Sequence, residues 1–167
     1  MVHYSQEKSM NSTNSNFDEP ITFKKGQVIF AQGEASSFLY IVVSGEVRIF
    51  KDDKNKLIPI SVVGPKDFIG ELSMFNDEPR SATAVATQET TLMIIKKTDI
   101  RKVLRSCPDW VSNIMITISD RLRSTVEVLR EHRIVDDLHP GSTSMPNDQE
   151  LATFQKNVAA YRSRRGL

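Results

Sequence analysis

Between residues 21 and 97, short runs of β-branched and aromatic residues alternate with residues that break regular structure. The runs are FKKGQVIF, SFLYIVVSG, EVRIF, LIPISVVG, SATAVATQ and TTLMIIKK, and Gly, Pro, Asn or Asp separates them. Runs of this length and composition are typical of β-strands joined by tight turns. No helix-length periodic segment interrupts them, so we expect six or more short strands that form an antiparallel roll or barrel.

After Lys97 the spacing of apolar residues changes to that of a helix. A short helix is predicted over 99–106, and Pro108 favours a break at Cys107 followed by a second helix. The second helix is expected to extend to Val135 because apolar positions recur at alternating steps of four and three. The members of this seam are Val111, Met115, Ile118, Leu122, Thr125 and Leu129. The seam either packs on the domain's own sheet or forms a dimer contact, and both alternatives stay open.

The two ends of the chain differ from its middle in composition. Residues 1–19 are rich in Ser and Asn and offer little to bury, so we predict a flexible N-terminal arm. Residues 136–167 are predicted to be a linker followed by a short basic amphipathic segment, ELATFQKNVAAYRSRRGL, which could lie free in solution. This stretch is too short for a separate helix-turn-helix domain, so we expect no DNA partner.

Charge and residue usage exclude several classes of protein. Lys and Arg total 22 against 21 Asp and Glu, so the chain lacks the broad cationic field of a nucleic-acid binder. The single cysteine, Cys107, cannot form an internal disulfide, which favours the reducing cytoplasm. No signal sequence or long apolar run is evident, so no membrane partner is expected.

No residue pattern in the chain indicates an enzyme. The three histidines, His3, His132 and His139, are too scattered for the clustered metal triad of a β-roll enzyme. Cys107 precedes a proline and has no evident base, and no nucleophile-elbow motif is present. We therefore expect neither catalysis nor a metal ion or other cofactor.

The segment DFIGELSMFNDEPRSATAVA, residues 67–86, contains a candidate anion site. The first turn of a helix presents unpaired N–H groups, and the guanidinium of Arg80 suits phosphate oxygens. Ser81 and Ala82 are small enough to let a ligand reach the backbone, and Glu71 can accept from a hydroxyl. This combination fits a nucleotide. The alternative, an ordinary Glu71–Arg80 ion pair beside a turn, stays open.

The stretch GELSMFNDEPRSATA resembles the phosphate-binding cassette of cyclic-nucleotide-binding domains. The resemblance continues through KKGQVIFAQGE, FLYIVVSGEVRIF and GPKDFIG and through the two closing helices. It implies a domain over residues 20–135 that is mainly β with flanking helices. Its fold would be an antiparallel, jelly-roll-like β-roll with a short cassette helix and C-terminal helices.

The resemblance also implies roles for individual residues. Glu71 would accept from the ribose 2′-hydroxyl, Arg80 would neutralise the cyclic phosphate, and backbone N–H groups would complete the phosphate cradle. Thr125 on the long helix would meet the base. The full set of expected ligand-binding residues is Gly70, Glu71, Leu72, Ser73, Arg80, Ser81, Ala82 and Thr125.

By this resemblance the chain is predicted to be a stand-alone cyclic-nucleotide sensor. Ser81 occurs with either base in the family, and we favour cyclic AMP as the ligand, with cyclic GMP as the alternative. Binding would rearrange the C-terminal helices and relay the signal to a separate effector protein, with a homodimer through the helix from Pro108 to Val135 as a further expectation. The competing hypotheses are a ligand-free β-roll scaffold and a truncated transcription regulator of the activator type.

Overall fold

The computed structural model describes residues 20–53, 56–75, 77–131 and 146–167. The predicted flexible arm over 1–19 lies outside these residues. So do the last four residues of the predicted long helix, most of the predicted linker and the three histidines. The domain boundaries at 19 and 135 therefore stay predictions.

Within the described residues, eight antiparallel strands fold into two four-stranded sheets, which confirms the predicted β-roll with flanking helices. One sheet has the order β1-β8-β3-β6 and the other has the order β2-β7-β4-β5. The strands are β1 (Ile21–Phe23), β2 (Val28–Phe30), β3 (Phe38–Ser44), β4 (Val47–Asp53), β5 (Lys56–Val63), β6 (Phe68–Ile69), β7 (Thr83–Ala86) and β8 (Thr90–Lys96).

The main hydrophobic core lies between the two sheets. Tyr40 and Val42 of β3 occupy alternate positions, as expected when one face of a strand is buried, and Leu92 of β8 joins them. From the other sheet, Val47 and Ala84 close the core. The apolar alternation in the sequence thus specifies which strand faces meet.

In the part of the chain that the structure describes, four helical elements accompany the roll. A single 3-10 turn, Glu71–Ser73, opens the cassette. The long helices are α1 (Lys97–Arg105), α2 (Asp109–Glu131) and α3 (Asp148–Arg165). The break at Cys107 is confirmed, and α1 begins two residues earlier than the sequence predicted. None of the helices in the described residues is long and apolar enough to cross a membrane.

Helix α3 packs against the roll. The sequence analysis had left open that this segment lies free in solution. Phe154 and Val158 are each 3% exposed and form a second apolar cluster with residues of the β2-β7-β4-β5 sheet. Leu151 and Tyr161 pack against this cluster, which completes an apolar stripe at steps of three and four residues. Burial of this stripe is the physical reason that α3 docks.

The predicted seam on α2 does not pack on the sheet along its length. Val111 and Met115 are half-buried, but Ile118 and Leu122 are 50% and 48% exposed. The α2 side chain buried most deeply among those described is Ser119, which is polar. Of the two alternatives that the sequence left open, packing of the whole seam on the domain's own sheet is therefore not what the described residues show.

Candidate functional site

A cavity of about 180 Å³ lies beside the cassette turn. Seven of the eight predicted ligand-binding residues line it, namely Gly70, Glu71, Leu72, Ser73, Arg80, Ser81 and Ala82. The remaining lining residues, which sequence analysis did not identify, are Phe30, Ile49, Ile60, Ser61, Val63, Phe68 and Ile69. The cavity therefore combines a polar part from the cassette with largely apolar walls from the strands.

Arg80 is the charged centre of the polar part and is only 4% exposed. Its Nη1 donates to the Gly70 carbonyl at 3.0 Å, and its Nη2 donates to the Phe38 carbonyl. The guanidinium carbon lies 4.2 Å from the centre of the Phe30 ring, a favourable cation–π contact. These contacts compensate part of the cost of burying a positive charge.

One donor of Arg80 is left over. Its Nε is buried and has no hydrogen-bond partner among the residues that the structure describes. A buried donor without an acceptor costs about 1–3 kcal/mol, so an anionic oxygen that reached it would be favoured. Burial lowers the pKa of Arg80, while Tyr40, Glu34 and Glu71 oppose this effect. The site thus fits an anionic ligand.

Gly70 makes room for this arginine. Its φ of 88° lies in the left-handed region, and a Cβ at this position would come within 2.1 Å of Arg80 Nη1. Both the backbone conformation and the close approach therefore require glycine. Sequence analysis placed Gly70 among the expected ligand-binding residues, but only the structure shows that the Arg80 guanidinium occupies the space of its missing side chain.

Glu71 begins the cassette turn and lines the same cavity. Burial raises the pKa of its carboxyl group, and the N–H groups of Glu71 and Gly70 together with the charge of Arg80 partly offset this effect. Arg80 gives its terminal N–H groups to main-chain carbonyls rather than to Glu71. The alternative of an ordinary ion pair between these two residues is therefore not what the structure contains.

The cassette turn ends with a hydrogen bond from Met74 N to the Glu71 carbonyl at 3.0 Å. The first N–H groups of a helical turn have no acceptor within the turn, and here these belong to Glu71 and Leu72. The Glu71 N–H stabilises the carboxylate of its own side chain. The phosphate cradle formed by N–H groups of the cassette stays a prediction.

Both helices that follow the roll contact the cassette through hydrogen bonds to its backbone. Arg123 of α2 donates to the Leu72 carbonyl at 2.9 Å, and Lys97 of α1 donates to the Ser73 carbonyl at 3.1 Å. Lys51 of β4 donates to the Ser81 carbonyl at 2.9 Å and forms an ion pair with Glu127 of α2. The cassette is therefore connected directly to α1 and α2.

Sequence analysis missed Lys51 and Arg123. A signal existed for Lys51, because it follows Val47 and Ile49 at alternate positions of β4, where a charge is unusual. No local signal marks Arg123, which lies on a helix with several exposed charges. Its role depends on where α2 crosses the cassette.

The structure does not bring Thr125 to the cavity. Thr125 is exposed, its hydroxyl donates to the Arg121 carbonyl at 2.8 Å, and it is absent from the described cavity lining. The site residue expected on the long helix is therefore not in place in this structure. Arg123 is the α2 residue that reaches the cassette.

Comparisons with known proteins agree with the geometry of the site. The family model of the cyclic nucleotide-binding domain matches residues 20–107. The CRP-like cAMP-activated global transcriptional regulator of Mycobacterium tuberculosis is 31% identical over 110 residues, which are 64% of this chain and 48% of the relative. The chain thus spans about half the length of this curated relative.

Two further similarities fall on the same region. The cAMP-dependent protein kinase regulatory subunit of Eremothecium gossypii is 35% identical over 82 residues, which are 49% of this chain and 17% of the relative. The cAMP-bound form of the EAL enzyme Bd1971 superposes with a TM-score of 0.63 at 25% identity, covering 70% of this chain and 31% of that chain.

Gly70→Ala should displace the Arg80 guanidinium, because the new Cβ would overlap Nη1 at a backbone conformation that alanine disfavours. We expect a loss of about 1–3 kcal/mol in the free energy of unfolding, measured by urea denaturation.

Two matched substitutions separate the effect of backbone strain from the effect of overlap with Arg80. Gly33→Ala has a positive φ of 86° but no atom within 4 Å of the new Cβ, so it reports backbone strain alone. Gly64→Ala meets no atom within 4 Å and is not among the positive-φ residues. If Gly70→Ala costs no more than Gly33→Ala, the proposed overlap with Arg80 is refuted.

Proposed function

The chain belongs to the cyclic nucleotide-binding domain family, and we propose that it is a sensor that binds cyclic AMP and relays binding through its C-terminal helices to a separate effector protein. The observation that carries the proposal is the buried Arg80 guanidinium, which lines the cavity together with the cassette and whose positive charge has no carboxylate hydrogen-bonded to it among the described residues. An anionic phosphate in the cavity supplies the opposite charge for this guanidinium.

The rest of the cavity suits the other parts of a cyclic nucleotide. Glu71 lines the cavity beside Arg80, where its carboxylate can accept from a ribose hydroxyl. Ile49, Ile60 and Val63 provide apolar walls against which a flat base can pack. Ser81 adds a hydroxyl at the phosphate end. The ligand supplies no catalytic step in this scheme, and the output is conformational.

Cyclic AMP is proposed over cyclic GMP because of the relatives. The Mycobacterium tuberculosis regulator is named for activation by cyclic AMP, and the Eremothecium gossypii relative is named as a regulatory subunit of a cAMP-dependent kinase. We also propose a cytoplasmic location, on the ground that the single cysteine, Cys107, cannot form an internal disulfide.

The relay is supported by the contacts between the helices and the cassette. Arg123 holds the carbonyl of Leu72, and Glu127 pairs with Lys51, which in turn holds the carbonyl of Ser81. A shift of the cassette when it binds phosphate therefore changes both contacts that attach α2, namely the hydrogen bond of Arg123 and the ion pair of Glu127. A ligand can shift this equilibrium only by binding the two helix positions with different affinity.

We further propose that α2 pairs with a second copy of the chain. Its outward face carries Ile114, Ile118, Leu122 and Val128, which are between 47% and 51% exposed. Ile114, Ile118 and Leu122 recur at steps of four, and Val128 lies two heptads after Ile114, so the four residues share about a third of the helix circumference. Burying this face against its counterpart would remove apolar surface from water.

A thermal melting scan tests ligand binding. At a cyclic AMP concentration about 100 times its dissociation constant, the free energy of unfolding should rise by roughly 2.7 kcal/mol, which raises the melting temperature by several degrees. Plain AMP, which lacks the ring closure, should give a smaller shift. No shift with either cyclic AMP or cyclic GMP would favour the ligand-free scaffold instead.

Arg80→Leu should abolish the shift because it removes the charge that the phosphate needs. Arg105→Leu is the matched control, since Arg105 is an exposed helix residue and is absent from the cavity lining. Circular dichroism establishes that both variants are folded before the scan. Normal ligand binding by Arg80→Leu would disprove the assignment of the site.

Cyclic AMP affinity should fall on acidification at a higher pH than an exposed glutamate would produce. Burial raises the pKa of Glu71, and only the ionised carboxylate is a full acceptor for the ribose hydroxyl. Affinity is therefore constant above the raised pKa and is lost as pH falls through it.

Glu71→Gln should bind more weakly at neutral pH and should lose this pH dependence. Titration calorimetry from pH 7 down to about pH 5 measures both. An identical pH profile in the variant would argue against Glu71 as the titrating group.

Leu122→Glu should convert a dimer to a monomer, because it places a charge in the centre of the proposed contact. Ser124→Glu adds the same charge at an exposed position of α2 outside the apolar face and should leave the dimer intact. Sedimentation measures the mass of each variant. A monomeric parent chain, with and without cyclic AMP, would rule out the dimer and leave the apolar face to the effector.

A further inference from the structure

The turn between β2 and β3 holds the main chain of Arg80 on both sides. Gly33 N donates to the Arg80 carbonyl at 2.9 Å, and Arg80 N donates to the Glu34 carbonyl at 2.8 Å. Phe30, whose ring lies under the guanidinium, immediately precedes the turn. One short segment of chain therefore sets both the backbone position of Arg80 and the surface on which its side chain rests.

The carboxylate of Glu34 closes this turn. Its Oε2 accepts from Ala31 N at 3.1 Å, and Glu34 N donates to the Ala31 carbonyl at 3.1 Å. The side chain of Glu34 is 18% exposed, so its remaining lone pairs depend largely on protein partners. A displaced carboxylate would release the turn that holds Arg80.

Helix α3 supplies those partners. The hydroxyl of Tyr161 donates to Glu34 Oε2 at 3.0 Å and lies 3.2 Å from Oε1. Arg165 pairs with Glu34 at 3.7 Å and lies over the Tyr161 ring at 5.5 Å. Docking of α3 thus places a neutral donor and a positive charge on the carboxylate that closes the turn.

We infer that Tyr161 is a positioning residue for the nucleotide site: its hydrogen bond to Glu34 fixes the β2–β3 turn, and this turn fixes Arg80. The inference rests on the proposed function, and it extends the functional unit from the roll to α3. The contacts run in series from Tyr161 to Glu34, from Glu34 to the Arg80 main chain, and from Arg80 to the cavity. By thermodynamic reciprocity, a ligand that orders Arg80 also strengthens the docking of α3.

The other end of α3 provides a control that the structure separates from Arg80. Near its N-terminus, Glu150 pairs with Lys25 at 2.9 Å, and this pair also attaches α3 to the roll. Lys25 lies between β1 and β2, away from the turn that holds Arg80. Loss of this pair weakens an attachment of the helix without altering the contacts of Glu34.

The experiment compares Tyr161→Phe with Glu150→Gln in the full chain, with cyclic AMP as the probe in titration calorimetry. Tyr161→Phe removes one hydroxyl and keeps the ring in the apolar cluster. It should weaken cyclic AMP binding about threefold to tenfold, the order of coupling seen within one hydrogen-bonded network. Glu150→Gln should bind like the parent chain, and the melting temperatures of both variants report docking separately from affinity.

A double-mutant cycle distinguishes positioning from a general effect on the fold. In an Arg80→Lys background, where the guanidinium is gone, Tyr161→Phe should have a smaller effect on affinity than in the parent. Equal affinity of Tyr161→Phe and the parent would overturn the inference, as would equal losses in Tyr161→Phe and Glu150→Gln. A parent chain that binds neither cyclic AMP nor cyclic GMP would overturn the proposed function and this inference with it.

Discussion

The structure depends on the burial of one positive charge. Taking a guanidinium out of water is expensive, and the fold compensates Arg80 with the carbonyls of Gly70 and Phe38 and with the face of the Phe30 ring. These partners come from three separate parts of the chain, so the folded roll is needed to assemble them. The compensation is incomplete, because Nε lacks a partner among the described residues. Arg80, whose burial carries a large desolvation cost, is therefore also the residue best suited to bind an anion.

The same constraint explains the surroundings of the cassette. Glycine at position 70 leaves space that the guanidinium fills, and the β2–β3 turn holds the Arg80 main chain by two hydrogen bonds. Helices α1 and α2 are attached to carbonyls of the cassette by hydrogen bonds. Such contacts are directional, so a small rotation of the cassette backbone weakens them sharply, whereas apolar packing would tolerate it. This geometry supports a ligand-driven change in helix position more readily than a lid held by apolar packing would.

Three of the described helices are thus linked to the site by hydrogen bonds. Helices α1 and α2 reach the cassette directly, and α3 reaches Arg80 through Glu34. Coupling between sites requires elements that the ligand biases, and each of these contacts is one hydrogen bond away from a residue that lines the cavity or holds its arginine. The proposed sensor therefore has a physical route to each of its helices, and the route through α3 is independent of the one through α2.

The sequence by itself determined the strands and the helix break at Cys107, and its family resemblance identified seven residues that line one cavity. These follow from local rules, since strand alternation, turn residues and a contiguous cassette are all written within short stretches of chain. The tertiary structure alone decided which residue of α2 reaches the cassette, which face of α2 is exposed, and that α3 docks on the roll. Arg123 contacts the cassette, whereas Thr125, which was expected to meet the base, does not line the cavity, and the pairing of Tyr161 with Glu34 joins residues 127 positions apart. Such contacts depend on how whole elements pack, and the periodicity of a single helix carries no information about the distant surface that it meets.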